Sequence, residues 1–115
     1  MGMKNRINAE HYIWGDACEG WRLLDDNDLA IIEERMPPGT AEVRHKHRQA
    51  NQVFYVLSGT LTLEVNGVVE HLSAFDSMNV RPELPHQARN EGEEDARFLV
   101  ISAPTTRGDR TPRNR

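Results

Sequence analysis

Gly39-Thr40-Ala41-Glu42-Val43-Arg44-His45-Lys46-His47, with Gln52 and Gly59 beyond it, is where the reading of this chain begins. His45 and His47 stand two apart. In an extended strand, residues i and i+2 point to one face, so both imidazoles can reach a single ion from a rigid support. Gln52 lies five residues further on, far enough for the chain to bend and bring its amide back to the same pocket. His86 arrives from a later segment, after the proline-containing turn Arg81-Pro82-Glu83-Leu84-Pro85. Three imidazoles and one oxygen donor leave two open positions on an octahedral ion. Such a set suits Fe(II), Mn(II), Ni(II) or, with fewer ligands, Zn(II).

Outward from this stretch the pattern is one of short strands. Leu29 to Met36 reads as a strand, and Pro37-Pro38-Gly39-Thr40 as a type II turn with Pro38 and Gly39 central. Gln52 to Leu57 is rich in β-branched and aromatic residues, and Ser58-Gly59 ends it. Thr60 to Val65 alternates with the period of two expected of a half-buried strand. Asn66-Gly67 is a hairpin signal, because both residues tolerate positive φ. Val68 to Leu72 is the return strand. Met78 to Val80, His86 to Asn90 and Ala96 to Ser102 complete the series. Helical signals are scarce, so the expected class is all-β, a sandwich or barrel. Residues 1–28 hold both tryptophans, Trp14 and Trp21, and are expected to form a cover or an edge strand.

Composition narrows the function. The chain has 115 residues, 37% hydrophobic and 28% charged, which fits one globular domain. Net charge is −4, and the segment from Arg107 to Arg115 carries four Arg against one Asp, leaving −7 for the remainder. So acidic a body is a poor binder of phosphate backbones, and nucleic acid is not an expected partner. The basic tail reads as a solvated, frayed terminus, and its Arg107-Gly108-Asp109 triplet as a chance match. Cys18 is the single cysteine, so no intrachain disulfide forms, which fits a reducing compartment. Flanking Asp16 and Glu19 make it a spectator rather than a nucleophile. No apolar run approaches the ~20 residues of a membrane span, and the residues around Lys4 and Arg6 lack a signal-peptide core. A cytoplasmic protein without a membrane partner is expected.

The opening stretch resembles the first motif of the cupin superfamily: a Gly, five residues, His-x-His, three or four intervening residues, an acidic residue, six intervening residues and a Gly. Gln52 stands in the acidic position. Arg81-Pro82-Glu83-Leu84-Pro85-His86-Gln87-Ala88-Arg89-Asn90 resembles the second motif, with His86 and Asn90 in place; Glu83 replaces its usual Gly and Arg81 its Pro. The resemblance implies a double-stranded β-helix, the jelly-roll cupin barrel, over residues 29–103. Residues 1–28 would be an edge or cover segment, and 104–115 a flexible basic tail. It further implies one divalent transition metal (Fe, Mn, Ni or Zn) on His45, His47, Gln52 and His86, or a three-histidine site with Gln52 behind it. A homodimer is expected, since small cupins pair through an edge strand.

Glutamine in place of the acid leaves the site at +2 and cannot accept a proton near neutrality. A base would then be a hydroxide at the metal or a carboxylate such as Glu33, Glu34 or Glu42. Glu33 and Glu34 are adjacent and point to opposite faces, so one of them faces inward or an interface. Arg35 shares a face with Glu33, an anion anchor if that face is inward and a solvated pair if not. Phe54, Val56, Met78, Phe98 and Val100 are the inward-facing candidates. His11 and His71 read as surface residues. Two functions fit: an enzyme acting on a small oxygen-rich metabolite, of dioxygenase or isomerase type, or a non-catalytic module that binds or senses a small ligand. A cupin that opens unsaturated uronates is similar in its His, His, Gln, His set. Val100 and Ser102 replace the acidic and aromatic residues of its final strand, which counts against the same reaction.

Overall fold

The computed structural model describes residues 2–112. Within them the chain forms eleven strands and no helix: β1 (Glu10–Trp14), β2 (Cys18–Asp25), β3 (Ala30–Met36), β4 (His45–His47), β5 (Asn51–Ser58), β6 (Leu61–Val65), β7 (Val68–Leu72), β8 (Ser77–Val80), β9 (His86–Arg89), β10 (Ala96–Ala103) and β11 (Arg110–Pro112). One antiparallel sheet runs β1-β2-β3-β10-β5-β8 and the other β11-β4-β9-β6-β7. The chain crosses repeatedly from one sheet to the other, which makes the double-stranded β-helix. No helix among the described residues is long and apolar enough to cross a membrane.

Local chemistry explains the turns. Gly39 has φ of 80°, as the third position of a type II turn requires, and the Thr40 N–H reaches the Pro37 carbonyl at 3.3 Å. Asn66 and Gly67 both have positive φ and join β6 to β7 with Val65 opposite Val68, a two-residue hairpin. Gly59 has φ of 73°, and a Cβ there would lie 2.2 Å from the Asp95 carbonyl oxygen, so the first-motif glycine is demanded twice over. Glu83, where the second motif has glycine, keeps the left-handed backbone at φ of 73°. Asn90 is structural: its amide donates to the Met36 and Glu94 carbonyls, both at 2.8 Å, while its Oδ1 accepts the Gly92 N–H.

The core lies between the sheets, with Met36, Val56, Leu61, Leu63, Val80 and Phe98 almost fully buried. Two expectations need correction. β6 is buried on both faces, not one. Glu64 is covered because the Arg44 guanidinium clamps it through two bonds of 2.7 and 3.0 Å, and Thr62 meets His71 at 3.1 Å. The second concerns the tail expected over residues 104–115: residues 104–112 are not frayed, and 113–115 lie outside the described residues. β11 pairs with β4, and Asp109 accepts three backbone N–H groups from the loop after His47. Charge composition hides such a tie, because it rests on a single carboxylate among arginines. At the other end, β1 and β2 form a hairpin laid on β3, which widens the first sheet by two strands.

Candidate metal centre

The three motif histidines converge. His45 and His47 come from β4, and His86 from β9, where it pairs directly with His45. One ring nitrogen of each lies within 4.8 Å of the others, and all three side chains are buried. Each Nδ1 faces a backbone carbonyl: Val43 at 2.7 Å for His45, Asp109 at 3.2 Å for His47 and Leu84 at 3.1 Å for His86. A carbonyl only accepts, so each Nδ1 carries the proton and each Nε2 presents a lone pair. Burial lowers the basicity of all three, to about 3 for His45 and about 4 for His86. They are therefore neutral near pH 7, the state a metal ligand needs.

Gln52 approaches from the opposite sheet. Its Nε2 donates to Ser102 Oγ at 3.1 Å, a cross-strand contact set by the Gln52–Ser102 register of β5 and β10. That bond turns Oε1 away from Ser102, and the buried Oε1 has no hydrogen-bond partner among the described residues; neither does His86 Nε2. Two orphaned buried acceptors beside two more imidazole nitrogens fit a cation well, since a buried polar atom left unmet is costly. His45, His47 and His86 could hold a metal ion, and Gln52 lines the same cavity as His45 and His47.

A cavity of about 290 Å³ opens beside this group. Its apolar walls are Ile32, Phe54 and Val100. Val56 and Phe98 belong to the core instead, and Met78 lines a separate groove with Glu70 and Asp76. Glu34 and Glu42 both face the cavity. Glu33 points outward toward Arg6 and Arg97, and Arg35 binds Glu19 and Asp95, so the Glu33–Arg35 pair is no anion anchor within the site. Burial, with Glu42 nearby, pushes the Glu34 carboxyl up to about 8. Burial also raises Glu42 to about 7, opposed by the Ala88 N–H that its carboxylate accepts at 2.9 Å.

The cavity also takes residues with no local sequence signal. Tyr12 and Arg22 come from the N-terminal hairpin; Thr106, Arg107 and Arg110 come from the C-terminal segment. Arg22 stacks on the Tyr12 ring at 4.5 Å. Arg107 is held by Asp25. The Arg110 side chain, exposed on the rim, makes no ion pair among the described residues, and its hydrogen bond to the Val43 carbonyl is long at 3.4 Å. Its charge is nonetheless felt by His45, His47, His86, Glu34 and Glu42. His11 and His71 lie elsewhere on the surface. Cys18 is buried outside the cavity, its thiol raised chiefly by burial.

Comparison with known proteins agrees with this architecture. The family profile described as "Cupin domain" matches residues 32–102. The HTH-type transcriptional regulator PuuR of Escherichia coli (strain K12) is 32% identical over 78 residues, 68% of this chain and 42% of that protein. H2HPP isomerase of Bacillus subtilis is 32% identical over 75 residues, 64% of this chain and 31% of the other. The chain thus spans less than half the length of either relative. Among solved structures, KdgF from Halomonas sp. superposes with a TM-score of 0.83 at 18% identity, covering 91% of this chain and 94% of that one, a likeness of fold. A conserved protein with a double-stranded beta-helix domain from Klebsiella pneumoniae gives 0.75 at 27% identity, covering 84% of each chain.

Proposed function

The chain belongs to the cupin family, and on that footing we propose that it is a metal-dependent enzyme moving a proton on a small, oxygen-rich carboxylate, of isomerase type. One observation carries the reading. Two carboxyl groups, Glu34 and Glu42, open into the same cavity as His45, His47 and Gln52, with His86 grouped behind those two imidazoles, under the charge of Arg110.

His45, His47 and His86 would hold the metal through Nε2, with Gln52 Oε1 as the fourth donor. A divalent cation bound there supplies Lewis acidity toward a substrate oxygen. The protein's own groups do the rest. Arg110, with Arg22 lining the same cavity, binds the substrate carboxylate. Ile32, Phe54 and Val100 keep water from the reacting carbon. Glu42, with the lower proton affinity, accepts a proton from the carbon next to a carbonyl. Glu34, protonated at neutral pH, returns one to the neighbouring atom. Matched proton affinities near the working pH are what this exchange requires. Gln52 takes no part in it, having no proton to accept.

The test uses metal-loaded protein and a panel of small 2-oxo and 2-hydroxy acids in D₂O, followed by NMR. Deuterium should enter at the carbon beside the carbonyl. Glu42→Gln should abolish the exchange while retaining stoichiometric metal, whereas His45→Ala and His86→Ala should lose the metal itself. Oxygen uptake with the same acids, without exchange, would replace the isomerase reading by a dioxygenase one. The similarity to PuuR favours a second reading, a ligand-sensing module, which predicts ligand-induced stabilisation with neither turnover. A homodimer is supported by the sheet edge β7, whose Val68 and Val69 are 58% and 45% exposed. Light scattering showing only monomer would refute it.

A further inference from the structure

Two of the three imidazoles orient themselves. His45 and His86 each use the carbonyl two residues before them, Val43 and Leu84, so their rings are set by their own strands. His47 differs: its carbonyl partner is Asp109, 62 residues away in sequence. That acceptor stays in place only while the C-terminal segment stays docked. β11 covers three of the described residues and, among these, pairs with β4 alone. A strand so short on a sheet edge needs another anchor. Asp109 provides one. Its Oδ1 accepts the Arg48 N–H at 2.8 Å, and its Oδ2 accepts the N–H groups of Gln49 and Ala50 at 3.0 and 2.9 Å. These three residues directly follow His47. One side chain therefore closes a loop that starts at a metal-site histidine, and its own carbonyl fixes that histidine's ring. The next residue along, Arg110, is the one opposite His47 in the β11–β4 register.

We propose that Asp109 is the positioning residue of this centre, clamping the C-terminal strand so that the His47 imidazole is held with Nε2 facing the ion and Arg110 is held above it. The proposal deepens the metal reading above and rests on it. Asp109 lies beyond residue 102, where the family match ends. Partners that fix a ligating histidine's tautomer commonly change metal affinity about 10- to 100-fold when removed.

The experiment compares wild type, Asp109→Ala and Asp109→Asn in two measurements. In metal-free protein labelled with ¹⁵N-histidine, NMR reports the tautomer of each ring. Asp109→Ala should turn His47 into a tautomer mixture while His45 and His86 keep their proton on Nδ1. Calorimetric titration with Ni²⁺ should then show affinity falling about 10- to 100-fold. Asp109→Asn keeps one acceptor oxygen and should fall between. Unchanged His47 signals in Asp109→Ala would overturn the proposal. So would a common change in all three histidines with a lowered melting temperature, the mark of general loosening. If wild type takes up no Ni²⁺, the metal reading fails, and the tautomer measurement still decides what Asp109 does to His47.

Discussion

Replacing Glu34 by glutamine should change how stability depends on pH, and in one direction only. The folded protein holds the Glu34 proton far more tightly than an ordinary carboxyl, from 4.5 up to about 8, because burial and the nearby Glu42 disfavour the charge. A group whose proton affinity rises on folding adds stability at low pH. That contribution is complete below pH 4.5, drains away as the pH climbs, and is gone above about 8. At about 1.4 kcal/mol per unit, the full shift amounts to about 5 kcal/mol. The cavity opens to solvent, which screens the charge, and roughly half, about 2 to 3 kcal/mol, is the expected effect. The amide of Glu34→Gln is nearly the same shape and has no proton to lose, so the variant lacks this slope. Wild type and variant should have similar stability at pH 5, and the variant should be the more stable by about 2 to 3 kcal/mol at pH 9. Urea unfolding followed by the fluorescence of Trp14 and Trp21, in chelator, measures it. The chelator matters because metal binding would add its own pH dependence to the stability. Stability curves that run parallel from pH 5 to 9 would show that Glu34 is not the inward, protonated group described here.

Three shorter predictions follow from the same geometry. Ser102→Ala removes the hydrogen bond that aims the Gln52 amide, worth about 0.5–1.5 kcal/mol, so titration calorimetry should show metal affinity falling about 2- to 10-fold. Gly59→Ala combines a left-handed backbone with a Cβ pressed on the Asp95 carbonyl, and should cost about 3 kcal/mol in chemical denaturation. With proton affinities of about 3 for His45 and 4 for His86, protons compete poorly for the ligands. Metal affinity should therefore hold steady from pH 8 down to about 5, where a solvated histidine site would already weaken below its ordinary value near 6.5.

Strand positions from β3 to β10 were legible because alternation and turn chemistry are local properties. The Asn66-Gly67 hairpin and the Pro38-Gly39 turn announce themselves in adjacent residues. His45 and His47 could be placed on one face from their spacing alone, and His86 joined them through the resemblance of its segment to a known motif. Glu33 and Glu34 could not be told apart in the same way. In β3 the apolar pair Ile31-Ile32 precedes the acidic pair, so the strand has no period-two phase to say which face is inward. Its pairing with β10 decides the matter, placing Glu34 opposite Phe98 and on the cavity side.

Arg110 and Asp109 lay further from reach. They sit in a run of arginines that composition reads as solvated, and nothing nearby in sequence marks them as partners of His47. The residue types of the candidate metal set, and the barrel that carries them, follow from patterns a few residues long. The meeting of Glu34 and Glu42 in one cavity, the rim position of Arg110 and the contact of Asp109 with His47 arise between segments tens of residues apart. Such contacts depend on which strand edges meet, and pairing of distant edges is a property of the folded barrel as a whole.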